Sequence, residues 1–260
     1  REELVLRVVT VLEPLPALPT QQIDAGYHMT VEMKRGESIL DRVRADLSSS
    51  TTPPLVTCML VGSPGATIAE AAREWNAEYV ILGAGRHGPI ERLLTGDTVV
   101  RALRHSVAPV IAVPSGRGAL PRNGIVAVDF GEASLTAART AATVIGEGIL
   151  NIVHVCPEVD VPATDPRVWS EVYESGAEAL MAQLAKELRG GHPDVRVETT
   201  LLQGHAPAVL LDVADRFAAD LIAVGQHGNG AVDQFLFGSV AQAMVRSAHC
   251  AVLVAPPTSR

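Results

Sequence analysis

The chain has 260 residues, enough for two domains of ordinary size, since one domain commonly has about 100–200 residues. An apolar share of 47% and a charged share of 19% are typical of a soluble globular protein, and no apolar run approaches the ~18 residues that span a bilayer. The net charge of −8 argues against nucleic-acid binding, which concentrates lysine and arginine against a phosphate backbone.

The first predicted elements are a strand at Leu4–Leu12 and a helix near Glu37–Leu47. The strand is a short apolar run of the kind that lies buried in a parallel sheet. Residues 13–54 are otherwise polar and rich in proline, which is typical of connecting segments.

An internal repeat begins at residue 55. Leu55–Pro114 aligns with Val197–Pro256 without a gap. The aligned pairs include Gly62 and Gly204, Gly83 and Gly225, Gly96 and Gly238, and Pro114 and Pro256. An ungapped match that keeps the glycine positions indicates a tandem duplication. We therefore predict domains at residues 1–114 and 123–260, joined by a linker at 115–122.

Strands and helices alternate in the second half. Its predicted strands are Gly124–Asp129, Leu150–Val155, Val195–Leu202, Leu221–Val224 and Ala251–Ala255. Val195–Leu202 alternates apolar and polar residues, as expected of an edge strand. Helices are predicted at Ser134–Ile145, from about Asp165 to Gly191, at Ala206–Ala218 and after Gly238. This alternation indicates a parallel sheet that is covered on both faces.

The longest predicted helix has an apolar stripe. Its residues recur at intervals of four, and they are Val172, Leu180, Leu184 and Leu188. We expect this stripe to face the core.

The first half begins differently from the second. Its strand Leu4–Leu12 aligns with Leu150–Val155, which leaves no counterpart of Gly124–Asp129 or of the helix that follows. Removing one strand from a parallel sheet exposes backbone donors and acceptors on both neighbours. We therefore expect that the chain begins inside a longer protein.

A glycine-rich segment follows the strand Leu221–Val224. Its glycines are Gly225, Gly228, Gly230 and Gly238, and Ser239 comes directly after the last of them. Without Cβ atoms, backbone N–H groups can close on a phosphate, and a helix amino terminus adds donors and a positive dipole end. The same residues also suit a plain turn with Ser239 as the N-cap. On their own they leave both interpretations open.

The cysteines indicate a reducing compartment. Cys58, Cys156 and Cys250 lie in or beside apolar runs at wide spacing, without a C-x-x-C pair or metal-ligand spacing. Buried thiols are therefore favoured over a redox or metal role. The amino terminus also lacks the features of a signal peptide, so the cytoplasm is the expected compartment.

These features together resemble the universal stress protein family in its tandem two-domain form. The family's nucleotide-binding signature is glycine, two residues, glycine, nine residues, glycine, and then serine or threonine. Gly225, Gly228, Gly238 and Ser239 match it in full. The resemblance implies an α/β fold with two tandem Rossmann-like domains of the adenine nucleotide alpha hydrolase-like kind. Each would have a five-stranded parallel sheet in the order 3-2-1-4-5, and the first would lack its first strand and helix.

The resemblance also implies an adenine nucleotide across the carboxyl ends of the first and fourth strands, where open α/β sheets bind ligands in general. Asp129 would contact the nucleoside, and the backbone of Val155 would contact the adenine. The phosphates would lie against a loop formed by Gly225, Gln226, His227, Gly228, Gly238, Ser239 and Val240. ATP is the expected ligand, with AMP or another adenine nucleotide as alternatives and Mg²⁺ as an optional companion.

Both halves depart from the family pattern, the first more than the second. In the first half, Arg86 replaces the second signature glycine and Asp97 replaces the serine. A carboxylate at a helix start repels phosphate and can itself cap the helix N–H groups. In the second half, Gly131 stands where the family usually has a serine. We expect a degenerate site in the first half and one working site in the second.

Two other nucleotide-binding classes are disfavoured. Gly83, Gly85 and Gly88 form the short G-x-G-x-x-G pattern of dinucleotide-binding dehydrogenases, but no acidic residue ends the next strand, where Val113 precedes Pro114. Neither lysine of the chain lies in a P-loop sequence.

Three histidines are candidate catalytic residues, namely His87, His154 and His227. His227 lies within the glycine loop, whereas His154 lies in a strand, where a hydrogen-bonded core histidine is favoured. The spacing supports no Ser/His/Asp or paired-carboxylate arrangement. We therefore predict a nucleotide-binding regulatory protein and not an enzyme. The alternative is a signalling or scaffold module of the same fold that binds no nucleotide.

The last strand of each half, Val110–Val113 or Val252–Val254, is expected at a sheet edge. Because the family uses such edges for pairing, we predict that the two halves pack together there. The predicted partners are an adenine nucleotide and a second copy in a homodimer, with no nucleic acid and no membrane.

Overall fold

The computed structural model describes residues 4–13, 25–47, 53–84, 91–116, 119–156, 166–228 and 238–258. Residues 1–71 and 72–260 form two compact units. None of the helices within the described ranges combines the length and apolarity that crossing a bilayer requires.

The first unit contains a two-stranded parallel sheet. Strand β1 (Leu6–Leu12) pairs with β2 (Leu55–Val61), and helix α1 (Ala25–Leu47) packs against both. A Cβ on Gly36 would lie 3.0 Å from Met59 and 3.3 Å from Thr10, so a glycine at this position lets α1 approach the sheet closely. The helix is longer than the predicted one because it begins twelve residues earlier, at Ala25 instead of Glu37. Helix α2 (Pro64–Glu74) follows β2.

The second unit combines elements from both sequence halves. From the first half come β3 (Val80–Ala84), α3 (Glu91–His105) and β4 (Val110–Pro114). From the second half come β5 (Asn123–Ala127), α4 (Glu132–Ile145), β6 (Gly148–Cys156), α5 (Pro166–Gly191), β7 (Val195–Gln203), α6 (Ala206–Arg216), β8 (Leu221–Gly225), α7 (Ser239–Ser247) and β9 (Ala251–Ala255).

These strands form one seven-stranded sheet in the order β3-β4-β9-β8-β5-β6-β7. When the strands of the second half are numbered along the chain, their order in the sheet is 3-2-1-4-5. All pairs are parallel except β4 and β9, which are antiparallel with Val110 opposite Val254. The predicted pairing of the two halves through their last strands is confirmed, as is the edge position of β7.

The two-sheet arrangement follows from the strand order. In the order 3-2-1-4-5, the first strand separates the second from the fourth. The described part of the first half holds no counterpart of β5, so β1 pairs only with β2, and β3 only with β4. The β4–β9 pairing then adds β3 and β4 to the larger sheet. The boundary between the two compact units therefore falls inside the first repeat. The domains predicted at 1–114 and 123–260 stay a prediction.

Helix α4 covers the centre of the seven-stranded sheet with small side chains. Ala137, Ala138, Ala141 and Ala142 are fully buried, and the helix packs against β5, β8 and β9. A row of alanines brings a helix close to the strands beneath it. The carboxyl ends of β5 and β8 consequently lie directly beside the first turn of α4.

Helix α5 buries a different stripe from the predicted one. Leu184 and Leu188 are buried as expected, but Leu180 is 47% exposed and Met181 takes its place in the core. A strict spacing of four drifts away from the helical repeat of 3.6 residues, so Leu180 falls outside the buried face. The side chain of Val172 lies outside the described residues.

An ion pair between α4 and α5 predicts a small pH-dependent stabilisation. Arg139 Nε donates to Glu187 Oε1 at 2.6 Å, and each side chain is 49% exposed. This hydrogen bond, followed by the arginine charge, holds the pKa of Glu187 below its usual value. We expect Arg139→Met to lower the free energy of unfolding by about 0.5–1 kcal/mol at neutral pH, because exposed pairs contribute little.

The sign of the pH effect follows from the lowered pKa. The stabilisation is complete above the usual glutamate pKa of about 4.3, and it is lost as the pH falls through the lower value of the folded state. Urea unfolding of both proteins at neutral pH and at about pH 3 should therefore show a difference that narrows in acid. A difference independent of pH would indicate lost packing of the arginine stem.

Candidate functional site

A pocket of about 350 Å³ lies at the carboxyl ends of β5, β6 and β8. The amino ends of α6 and α7 close its other side. From β5 the chain continues to β6 and β7 on one side, and it then crosses back to β8 and β9 on the other side, so the pocket lies where the strand order reverses. Its walls are formed by Ala127, Val128, Asp129, Ser134, Val153, His154, Val155, Ala206, Leu210, Val224, Gly225, His227, Gly228, Gly238, Ser239, Val240 and Ala241.

The turn after β5 orients the carboxylate of Asp129. The N–H of Gly131 donates to Asp129 Oδ1 at 3.0 Å. Ser134 Oγ donates to the carbonyl of Gly131 at 3.0 Å and accepts the N–H of Asp129 at 3.3 Å. The second carboxylate oxygen faces the glycine loop, since a Cβ on Gly228 would lie 3.4 Å from Asp129 Oδ2. Asp129 and Gly228 are therefore neighbours in the pocket wall.

The backbone of Val155 points toward the pocket. Along a strand, successive N–H and C=O pairs alternate between the two sides. The carbonyl of Val153 accepts from Val128 on the β5 side, at 2.9 Å, whereas that of Cys156 accepts from Gly204 on the β7 side, at 3.0 Å. Val155 lies two residues after Val153, so its N–H and C=O groups also point to the β5 side, beyond the last residue of that strand.

Gly225 ends β8 where no side chain fits. A Cβ at this position would lie 2.8 Å from the backbone N of Ser134 and 3.0 Å from two atoms of Ala133. These atoms belong to the first turn of α4, which the alanine row holds against the sheet. The glycine is therefore required by the close contact of β8 with α4, next to the pocket.

The start of α7 forms the far wall of the pocket. Gly238 is the N-cap residue and carries no side chain to satisfy the first N–H groups of the helix. Its own N–H donates to the carbonyl of Gln226 at 2.9 Å, which fixes the helix start beside the end of β8. Ser239 is exposed at the first helical position and lines the pocket. The nine residues between Gly228 and Gly238 lie outside the described residues.

Eight of the nine residues predicted for the site line this pocket. They are Asp129, Val155, Gly225, His227, Gly228, Gly238, Ser239 and Val240. Gln226 does not line it, because its side chain is buried and Nε2 donates to the carbonyl of Leu103 at 2.7 Å. Gln226 therefore faces α3, whereas the next residue, His227, lines the pocket.

Sequence reasoning missed the apolar walls and Ser134. The walls are supplied by Val128, Val153, Ala206, Leu210, Val224 and Ala241. Their apolar character was visible only as core sequence, and nothing local distinguishes a pocket wall from any other buried position. Ser134 was placed at a helix start without a role, although its hydroxyl bonds to both Asp129 and Gly131.

His154 is a hydrogen-bonded core histidine, as predicted. It is 5% exposed, and Nδ1 donates to the carbonyl of Val128 at 2.6 Å. Nε2 lies 3.3 Å from the hydroxyl of Tyr173. The ring also contacts Phe130, with centroids 4.8 Å apart, so the imidazole supports the floor of the pocket.

The thiol nearest the pocket is unsuited to nucleophilic chemistry. Burial raises the pKa of Cys156, and the neighbouring charge of Glu174 raises it further. A thiol kept protonated at neutral pH is a poor nucleophile.

The equivalent place in the first half is built differently. Gly83 aligns with Gly225 and is the next-to-last residue of β3, but a Cβ there would meet no heavy atom within 4 Å. The part of the first half that the structure describes contains no counterpart of α4 to pack against it. Arg86 and His87 lie outside the described residues, and so does the side chain of Asp97, so the degenerate site stays a prediction.

Comparison with known proteins gives a family match across most of the chain. The model of the universal stress protein family matches residues 1–114 and 122–256. A universal stress protein of Mycolicibacterium smegmatis is 29% identical over 197 residues, which are 74% of this chain and 65% of the relative. One of Mycobacterium tuberculosis is 28% identical over 224 residues, which are 82% of this chain and 69% of the relative. The chain thus spans about two thirds of the length of these relatives.

A solved structure shows the same fold. The crystal structure of a universal stress protein from Archaeoglobus fulgidus superposes with a TM-score of 0.66 at 20% identity. The superposition covers 97% of this chain and 86% of the other.

Proposed function

This chain belongs to the universal stress protein family, and we propose that its second half binds one molecule of ATP in the pocket between β5, β6 and β8. The observation that carries the proposal is the convergence of three kinds of group on one space. These are the oriented carboxylate of Asp129, the outward-facing backbone of Val155 and the amino terminus of α7. They match the ribose, base and phosphate parts of a nucleotide.

The proposed site for the phosphates is the amino terminus of α7. The first N–H groups of α7 have no intrahelical partner, and the helix dipole favours an anion there. Gly228 and Gly238 place no side chain in the pocket, and the Ser239 hydroxyl adds a donor. Mg²⁺ would accompany the phosphates as in other triphosphate sites, and AMP or another adenine nucleotide would occupy the same pocket.

The part of the pocket proposed for the nucleoside has apolar walls with few polar groups, which is the usual composition of a ligand pocket. A volume of about 350 Å³ falls near the lower end of the common range of ~300–1,000 Å³. The phosphates would therefore extend toward the open side, past Gly228.

We propose a regulatory binding role and not an enzymatic one. The pocket places one carboxylate, Asp129, near the phosphate loop, and its Oδ1 already accepts the N–H of Gly131. We also propose a cytoplasmic location, because Cys58, Cys156 and Cys250 are all in the thiol form.

We propose in addition that the protein forms a homodimer. The β4–β9 pairing joins the two halves within one chain, so the dimer would use other surfaces. Sedimentation velocity over a concentration series tests this proposal, and a monomer at every concentration would contradict it.

Isothermal titration of nucleotide-free protein with ATP tests the proposed function. We expect saturable binding at one site per chain. Two sites per chain would contradict the degenerate first half. The absence of saturable binding would overturn the ATP proposal and favour the scaffold alternative.

The variant Asp129→Asn should weaken ATP and adenosine equally, by about tenfold or more, since a hydrogen bond to a charged group contributes about 1.5–3 kcal/mol. Asparagine keeps the oxygen that accepts from Gly131, so the turn should be preserved. The control is Asp215→Asn, at an exposed position of α6 away from the pocket lining. Selective weakening of ATP alone would place Asp129 at the phosphates and contradict its assignment to the ribose.

A further inference from the structure

Gln226 makes a buried hydrogen bond between the glycine loop and a helix from the first sequence repeat. Its side chain is 5% exposed, and Nε2 donates to the carbonyl of Leu103 at 2.7 Å. Leu103 is itself 2% exposed and lies in the last turn of α3. Both residues belong to the second compact unit.

The carbonyl of Leu103 needs such a partner. The last four carbonyls of an α-helix lack an intrahelical donor. The N–H of Ser106 donates to the carbonyl of Ala102 at 2.9 Å, and the side-chain amide of Gln226 donates to the next carbonyl, that of Leu103. An orphaned carbonyl at a buried position is costly, so this bond holds the end of α3 to the loop.

The backbone of Gln226 holds the phosphate loop on its other side. Its N–H donates to the carbonyl of Ala255 at 2.8 Å, and its carbonyl accepts the N–H of Gly238 at 2.9 Å. The neighbouring residues Gly225 and His227 both line the pocket. One residue therefore connects α3 to β9, to the end of β8 and to the start of α7.

The residue that aligns with Gln226 in the first repeat has a different side chain. In the alignment of the two repeats, the counterpart of Gln226 is Ala84, an amino acid without a hydrogen-bond donor in its side chain. Ala84 therefore cannot make the side-chain hydrogen bond that Gln226 makes.

We propose that Gln226 is a positioning residue through which α3 of the first repeat sets the phosphate affinity of the nucleotide site in the second. The amide does not touch the ligand. It fixes the carbonyl that receives the Gly238 N–H, and thereby the position of the α7 amino terminus relative to Gly228. This inference rests on the proposed binding of ATP.

The variant Gln226→Met tests it in the full chain. Methionine has a similar length and volume but no donor, so the Leu103 carbonyl loses its partner and the loop loses its anchor. We expect ATP to bind about tenfold more weakly, which is the effect of losing one such hydrogen bond. Adenosine should bind within about twofold of the native affinity, because it lacks the phosphates that the start of α7 would hold.

The ratio of ATP to adenosine affinity separates positioning from a general loss of structure. A merely destabilised protein would lose both ligands in proportion. The control Gln203→Met changes an exposed glutamine at the end of β7 and should leave both affinities unchanged. Native affinity for ATP in Gln226→Met, or an equal loss of both ligands, would overturn the inference. If the native chain bound no ATP, the proposed function itself would fail.

Hydrogen–deuterium exchange on the native protein provides a test without substitution. Saturation with ATP should slow amide exchange at the start of α7 and also at residues 102–106, at the end of α3. Adenosine should not slow exchange at residues 102–106. Protection confined to the second repeat would contradict the coupling, even with ATP fully bound.

Discussion

Ser239→Asp is expected to weaken ATP binding by at least about 100-fold while the protein stays folded. A carboxylate at the first position of α7 would face the phosphates in a partly enclosed pocket, where like charges at short range repel strongly. It would also accept N–H groups that the phosphate would otherwise occupy. The same substitution occurs naturally in the first repeat, where Asp97 aligns with Ser239.

The stability of this variant identifies the cause of the loss. An acidic residue in the first turn of a helix is stabilising by about 0.3–1 kcal/mol, so the melting temperature should stay constant or rise. Ser239→Asn is the matched control, with nearly the same shape and no charge, and we expect it to bind ATP within about tenfold of the native affinity. Adenosine should bind both variants normally. Equal ATP affinity in the aspartate and asparagine variants would show that no phosphate lies at α7.

Gly148→Ala is expected to lower the free energy of unfolding by about 3 kcal/mol or more, the sum of backbone strain and overpacking. Gly148 begins β6 with φ +142°, a conformation that side chains rarely adopt. A Cβ there would lie 2.9 Å from the carbonyl carbon of Arg122 and within overlap distance of its oxygen. That oxygen accepts the N–H of Ile149 at 2.7 Å, so it cannot move without breaking a bond between β6 and the start of β5.

Gly146→Ala provides the control for the backbone conformation alone. Gly146 caps α4 with φ +62°, and the nearest atom to its Cβ would be the carbonyl oxygen of Thr143 at 3.8 Å. With ψ −49° this is a sparsely populated conformation for residues with a Cβ, so the variant should cost about 1–3 kcal/mol, less than Gly148→Ala, which adds overpacking. Urea unfolding of both variants measures the difference. Equal destabilisation would mean that the contact with Arg122 relaxes freely.

The sequence predicted the second half well because most of its strands are distinct apolar runs bounded by turn residues and the remaining one, β7, alternates apolar and polar residues. The runs at Leu221–Val224 and Ala251–Ala255 became β8 and β9 almost without change. Boundaries that depend on pairing were less predictable. Asp129 was expected to end a strand, but β5 ends at Ala127, since only the N–H of Val128 still reaches β6.

The candidate site was predictable wherever local chemistry carries information. Glycines before a helix start and an aspartate after a buried strand are visible along the chain, and the residues so identified lie around one pocket. The direction of a side chain in an irregular loop is not visible in this way. Gln226 lies between two pocket residues, yet it bonds to Leu103, which is far away in sequence.

The sequence by itself determined the tandem repeat, the alternation of strands and helices, and the residues able to face a phosphate. It did so because the hydrophobic pattern and glycine spacing are properties of the chain that survive duplication. Only the tertiary structure decided how the repeats share their strands. The antiparallel pairing of β4 with β9 depends on contacts between segments that no local pattern relates. In the folded molecule the end of α3 also lies against Gln226, so the proposed influence of the first repeat on the site depends on tertiary contacts.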